Sequence, residues 1–133
     1  MTQCAEQLAF SFHQSTEVVA DFKGGLISSD AGLLPVRELD NRLGWTEAIA
    51  ACLSDPRDPA KTIHDLLTLI RQRLFGCVAG YEDANDHTRL RDDPILKTVA
   101  NRDLDDDLAS QPTLSRFENW VTAREVAEIN RLL

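Results

Sequence analysis

Aromatic side chains are scarce, at 6% of the 133 residues, against a hydrophobic content of 43% that can still build a core. No run of apolar residues approaches the length that spans a bilayer, so a transmembrane helix is excluded from the reading and no membrane partner is expected. The opening Met1-Thr2-Gln3-Cys4-Ala5-Glu6 lacks the basic start and apolar run of a signal peptide, so a cytoplasmic location is expected. Cysteine is limited to Cys4, Cys52 and Cys77, and none forms a CxxC pair. Free thiols in a reducing compartment follow, and a zinc site does not. A P-loop, a dinucleotide fingerprint and a serine or cysteine nucleophile motif are all missing. His13 and His64 have no catalytic partner that spacing reveals, and the chain has neither internal repeats nor low-complexity segments.

Positive charge is also in short supply. Fourteen Lys and Arg face 22 Asp and Glu, for a net charge of -8. Such acidity weakens the general attraction to phosphate, so nucleic-acid binding requires a local basic patch. The length suits one domain or part of a larger one.

What is present reads as an α+β, mainly α-helical chain: short β-strands at the N-terminus followed by about six helices. Leu8, Phe10 and Phe12 alternate with polar or small residues, and Val18, Ala20 and Phe22 do so again, which predicts two strands able to pair as a hairpin. Gly24-Gly25 makes a turn. The segments divide at 1–27, hairpin-like, and 28–133, helical. Ser28-Ser29-Asp30 reads as a helix start, with Leu33, Leu34, Val36 and Leu39 on the apolar side, Pro35 near the first turn and Gly44 as the stop. A second short helix covers roughly 46–53, with Ile49, Ala50 and Leu53 facing in. Asp58 followed by Pro59 suits an N-cap and first helical position. In the clearest helix, Ile63, Leu66, Leu67, Ile70, Leu74, Cys77, Val78 and Tyr81 share the face expected to be buried, with Lys61, Asp65, Thr68 and Gln72 opposite. Asp93-Pro94 starts a short helix to about position 100, and residues 101–107 form an acidic loop. Another helix begins near 110–112, with Leu114, Phe117, Trp120 and Val121 at core spacing. Thr122 and Glu125 match a capping box before a last helix that carries Val126, Ile129 and Leu133 on one face.

The polar block at 80–94, directly after the most apolar helix, holds the candidate functional residues. Asp83, Asp86 and His87, at i, i+3 and i+4, have ligand chemistry for a divalent ion. The preferred reading of these residues is a capped, solvent-facing helix with local ion pairs, such as Asp86 with Arg89. Arg89 and Arg91 can serve as phosphate contacts, aided by Arg71, Arg73, Asn85 and His87, because the guanidinium fork suits phosphate oxygens. Thr113-Leu114-Ser115-Arg116 is similar to the start of a recognition helix, although the preceding helix ends too far upstream for a tight helix-turn-helix. Ser115 is better placed on an ordinary amphipathic helix, which leaves Arg116 as a DNA candidate.

Taken in order, Asp21-Phe22-Lys23-Gly24-Gly25, Ser28-Ser29-Asp30-Ala31-Gly32-Leu33-Leu34, Arg71-Gln72-Arg73, Gly80-Tyr81-Glu82-Asp83-Ala84-Asn85-Asp86-His87, Leu90-Arg91-Asp92-Asp93-Pro94 and Leu108-Ala109-Ser110-Gln111-Pro112-Thr113-Leu114-Ser115-Arg116-Phe117-Glu118-Asn119 resemble the N-terminal part of bacterial insertion-sequence transposases of the DDE type, the insertion-sequence 1380 group in particular. The resemblance spans nearly the whole chain. It implies DNA transposition by an RNase H-like core in which three carboxylates hold divalent metal ions, magnesium being expected, that drive in-line attack on phosphodiesters. The first of those carboxylates would follow the segment seen here, so no acid of this chain is assigned to the catalytic triad. The chain is expected to stop before the core, to carry no cofactor itself and to be inactive alone. Its expected role is contact with transposon-end DNA through Arg71, Arg73, Asn85, His87, Arg89, Arg91 and Arg116, together with packing onto the core. The rival expectation is an interaction module that pairs with itself or with full-length transposase, or a relic.

Overall fold

The computed structural model describes residues 7–21 and 30–132. The expectations for Phe22, the Gly24-Gly25 turn, Ser28-Ser29, Cys4 and Leu133 lie outside the described residues. Strands β1 (Gln7–Phe10) and β2 (Val18–Asp21) pair antiparallel, with Phe10 opposite Val18 and Leu8 opposite Ala20. Among the described residues seven helices follow: α1 (Leu33–Leu43), α2 (Trp45–Cys52), α3 (Leu66–Val78), α4 (His87–Leu90), α5 (Pro94–Val99), α6 (Gln111–Trp120) and α7 (Ala123–Leu132). The fold is α+β and mainly helical, as the sequence predicts; the additional helix is α4, a single turn inside the polar block.

Local chemistry sets most of the boundaries. Gly44 adopts φ 70, a left-handed conformation that costs glycine little, and its N–H closes on the Asp40 carbonyl to end α1. Pro35 sits in the first turn of α1, where an N–H has no intrahelical acceptor to lose. Asp58 accepts from the Ala60 N–H at 3.0 Å and opens a 3₁₀ turn at Pro59–Lys61. Asp65 takes the Thr68 N–H at 2.7 Å and Asp93 the Leu96 N–H at 2.8 Å, capping α3 and α5. The capping box forms as its spacing demands: the Thr122 N–H donates to Glu125 Oε2 at 2.8 Å and the Glu125 N–H to Thr122 Oγ1 at 3.3 Å. Glu125 also takes the Ser54 N–H across the fold, and these bonds to its ionised form hold its carboxyl down to about 2.

Two apolar cores flank α3. One gathers Phe12, Val18, Leu33, Leu34, Phe75, Leu96, Val99, Ala100 and Leu108 from the hairpin, α1, α3, α5 and the loop before α6. The other gathers Leu69, Ile70, Ala109, Leu114 and Phe117, with Ile49, Ala50, Leu53, Leu66 and Trp120 packed on its edge. A Leu or Phe buried to this degree contributes about 1.5–3 kcal/mol relative to exposure. Among the described residues no helix is long and apolar enough to cross a membrane.

Helix α3 buries Ile70 and packs Leu66 on a core as its apolar stripe predicts, but turns the C-terminal half of that stripe outward. Thr68, Leu69, Ile70, Arg71, Gln72, Phe75 and Gly76 are buried, while Leu74 and Val78 are 37% and 54% exposed and Cys77 is exposed. Ile63, before the helix, is 78% exposed. The expected burial of Leu74, Cys77, Val78 and Ile63 is therefore corrected, and so is the outward placement of Thr68 and Gln72. The reason is hydrogen bonding: the polar face meets partners that satisfy it, and once satisfied it packs like any other surface. On α1 the same correction applies to Leu39, 45% exposed, where Arg37 and Asp40 are buried instead.

Candidate nucleic-acid interface

Two polar stations on α3 organise the candidate residues. At the first, the Gln72 amide clamps the backbone of Ala109: Nε2 donates to the Ala109 carbonyl and Oε1 accepts the Ala109 N–H, both at 2.9 Å. Gln72 Nε2 also lies 3.3 Å from His87 Nδ1. His87 is wholly buried, and it fits because residue 76 is glycine; a Cβ there would stand 2.8 Å from the imidazole Cε1 and Nε2. Burial first, and the nearby Arg73 charge second, push the His87 imidazole below its ordinary value, which favours its neutral form.

At the second station, Asp40 receives the Thr46 N–H at 2.8 Å, the Thr46 hydroxyl at 2.7 Å and Arg37 Nη1 at 3.2 Å. The Thr46 bond starts α2 directly after the Gly44 turn. Arg71 donates its Nε to Thr46 Oγ1 at 3.1 Å and lies 3.9 Å from Asp40 and 3.5 Å from Glu47.

The seven sequence candidates are not one surface. Arg71 and His87 are interior residues of these stations. Arg73 pairs with Glu118 and donates to the carbonyls of Tyr81 and Glu82, tying α3 to α6 and to the start of the polar block. Asn85 bonds Asp83, which caps the following 3₁₀ turn through the Asn85 N–H at 2.8 Å. Arg89 and Arg116 are exposed and make no ion pair among the described residues. Arg91 pairs with Asp107.

Arg91 belongs to a groove of about 870 Å³ between the Pro59–Lys61 turn, the 102–108 loop and the start of α6. Arg57, Lys61, His64 and Arg102 also line it. Arg57 grips Asp55 with a two-pronged contact at 2.8 and 2.6 Å and stacks 5.0 Å over the Trp120 ring. Arg102 reaches Asp106 at 3.2 Å. Burial and the charges of Arg102, Arg57 and Arg91, in that order, lower the His64 pKa, and its Nδ1 is buried without a partner. The sequence reading missed Arg57, Arg102 and Lys61. Arg102 and Asp106 stand four apart, a spacing that allows local pairing, whereas the spacing around Arg57 and Lys61 does not single them out.

A metal does not fit the polar block. His87 turns inward to Gln72, Asp83 is engaged with Asn85, and among the described residues no three histidines, cysteines or acids gather as a metal site.

Comparison with curated proteins finds no match, and comparison with solved structures finds none. The profile of one family, described as Transposase DDE domain group 1, matches residues 10–133. That match runs from the end of β1 through both polar stations, the groove and α7, and the family suggests a divalent metal for the full-length protein and DNA as its partner. The chain belongs to the Transposase DDE domain group 1 family, and its role lies in transposition.

Proposed function

We propose that this chain is the N-terminal region of an insertion-sequence transposase of the 1380 group and contacts transposon-end DNA, acting with a catalytic core carried by other residues. The groove lined by Arg57, Lys61, Arg91 and Arg102 carries the reading. It gathers these four basic side chains beside Asp58, Asp105, Asp106 and Asp107, in a chain whose overall charge opposes DNA. Each arginine there is held by an aspartate, Asp55, Asp107 or Asp106. Arg91–Asp107 is the most exposed of the three, and exposed pairs are worth about 0–1 kcal/mol, so a phosphate can take the place of Asp107 at small cost. Arg89 and Arg116 supply further exposed contacts. Arg71, Arg73, Asn85 and His87 serve the same interface by holding α3, α6 and the polar block in place. The exposed Leu74, Cys77 and Val78 provide an apolar face for packing onto the core.

Fluorescence anisotropy with duplexes of the element's terminal sequence, titrated with salt, tests the DNA contact. Arg91→Gln and Arg116→Gln are each expected to weaken binding and to reduce the slope of log affinity against log salt by about 0.9 for each phosphate that is no longer neutralised. Unchanged affinity and slope in both variants would remove DNA contact from the proposal.

A further inference from the structure

A second, smaller pocket lies at the Arg37–Asp40–Arg71 station and shares Arg102 with the groove. It measures about 320 Å³. Arg37 and Arg71, 1% and 6% exposed, form its floor together with Phe12, whose ring lies 4.9 Å under the Arg37 guanidinium. Gln14, Asn41, Glu47 and Asp65 stand at its exposed rim.

The charges here do not balance. Two buried guanidiniums share one buried carboxylate, Asp40, at 3.2 and 3.9 Å. The other carboxylates acting on Arg71, Glu47 and Asp65, stand at the exposed rim, Glu47 with a side chain 68% exposed and Asp65 also capping α3. Burial, then repulsion from Arg71, pushes the Arg37 pKa down to about 10 despite Asp40. Arg37 uses Nε on the Val99 carbonyl and Nη1 on Asp40; Arg71 uses Nε on Thr46 and Nη2 toward Glu47. Each fork has further donors. Arg102, also on the wall, has a buried Nε donor without an acceptor, and the neighbouring Asn101 has a buried Oδ1 without a donor. Buried positive charge in excess of buried carboxylate is costly, and an anion joining it lowers that cost.

We infer that this pocket binds a phosphate-class oxyanion, held by Arg37, Arg71 and Arg102. A tetrahedral oxyanion accepts from several guanidinium donors at once. A protonated oxygen of a phosphate monoester or hydrogen phosphate can also donate to Asn101 Oδ1. The two sources of that chemistry are a terminal phosphate on a nucleic-acid strand and free phosphate. The inference rests on the buried Arg37 and Arg71 and stands whether or not Arg57, Lys61 and Arg91 contact DNA.

The test is a titration of the chain with inorganic phosphate at constant ionic strength, followed through the arginine Nε–H resonances. Saturable shifts are expected at the Arg37, Arg71 and Arg102 signals. Arg71→Met, which keeps much of the aliphatic stem, should weaken binding about tenfold or more. If that variant does not fold, Arg102→Gln at the more open wall should weaken binding several-fold while leaving the fold intact. Absence of saturable shifts, or wild-type affinity in every folded variant, overturns the inference. Competition then separates the sources. A 5′-phosphorylated duplex that displaces inorganic phosphate, where its unphosphorylated counterpart does not, identifies a nucleic-acid end. Displacement by neither duplex identifies free phosphate.

Discussion

The two buried polar stations of α3 solve one problem in different ways. The Gln72–His87–Ala109 station is neutral: an amide matched to a backbone amide, with an imidazole whose neutral form is favoured against a glycine. It satisfies the Gln72 amide and holds the fold together, leaving the buried His87 Nε2 without a partner. The Arg37–Asp40–Arg71 station is charged, with more cation than buried carboxylate. Its remaining carboxylates, Glu47 and Asp65, stand at an exposed rim, and a pocket opens at that point. A neutral network can be completed by donors and acceptors alone, whereas a charged one also needs its charge matched.

The largest effect is expected at the charged station. Asp40→Asn removes the shared carboxylate and leaves two buried guanidiniums, so the cost should be about 3–5 kcal/mol in urea unfolding. A loss below about 1 kcal/mol would show that Asp40 is not the hub. Next comes Gly76→Ala at the neutral station, where the new methyl meets the locked His87 ring. It should cost about 1–3 kcal/mol. Gly32→Ala, whose Cβ meets nothing within 4 Å, is its control and should stay within about 0.5 kcal/mol. Equal stabilities for the two variants would mean the imidazole has room to move.

The smallest effect is the pH response. His87 and His64 both have native values lowered by burial. The unfolded chain, with ordinary histidines near 6.5, then binds more protons below that pH. Stability should be complete above about pH 6.5 and decline as pH falls through 6 and 5. The slope is at most about 1.4 kcal/mol per pH unit for each histidine, and it ends when the native imidazoles protonate. Urea midpoints between pH 7.5 and 5 measure it, and a His64→Gln variant should retain the His87 share. A flat profile would mean that His87 is charged or solvated in the folded chain.

Boundaries were legible in the sequence because they depend on neighbours along the chain. Gly44, Asp93-Pro94 and the Thr122–Glu125 box each act within a few residues, and the folded structure uses them as their chemistry dictates. Asp58-Pro59, by contrast, expected to start the long helix, opens only a 3₁₀ turn, and α3 begins at Leu66 behind the Asp65 cap. The hairpin followed for the same reason, since alternation shows a strand without naming its partner. The full orientation of α3 was not legible. Its apolar stripe through Leu74 and Val78 predicts one buried face, yet the helix turns that part of the stripe outward and buries Thr68 and Gln72. That choice was made by Ala109, 37 residues from Gln72, and by Asp40 and Thr46, 31 and 25 residues from Arg71.

The candidate site divides along the same line. The sequence identified arginines, the polar block and the family resemblance, because residue types and their order are properties of the chain itself. Only the tertiary structure separated the buried Arg71 and His87 from the exposed Arg89 and Arg116, and brought Arg57, Lys61 and Arg102 to the groove that holds Arg91. A guanidinium reads the same in sequence whether it faces solvent or a buried carboxylate. Its role is set by which distant groups satisfy its charge and hydrogen bonds, and those distances exist only once the chain has folded.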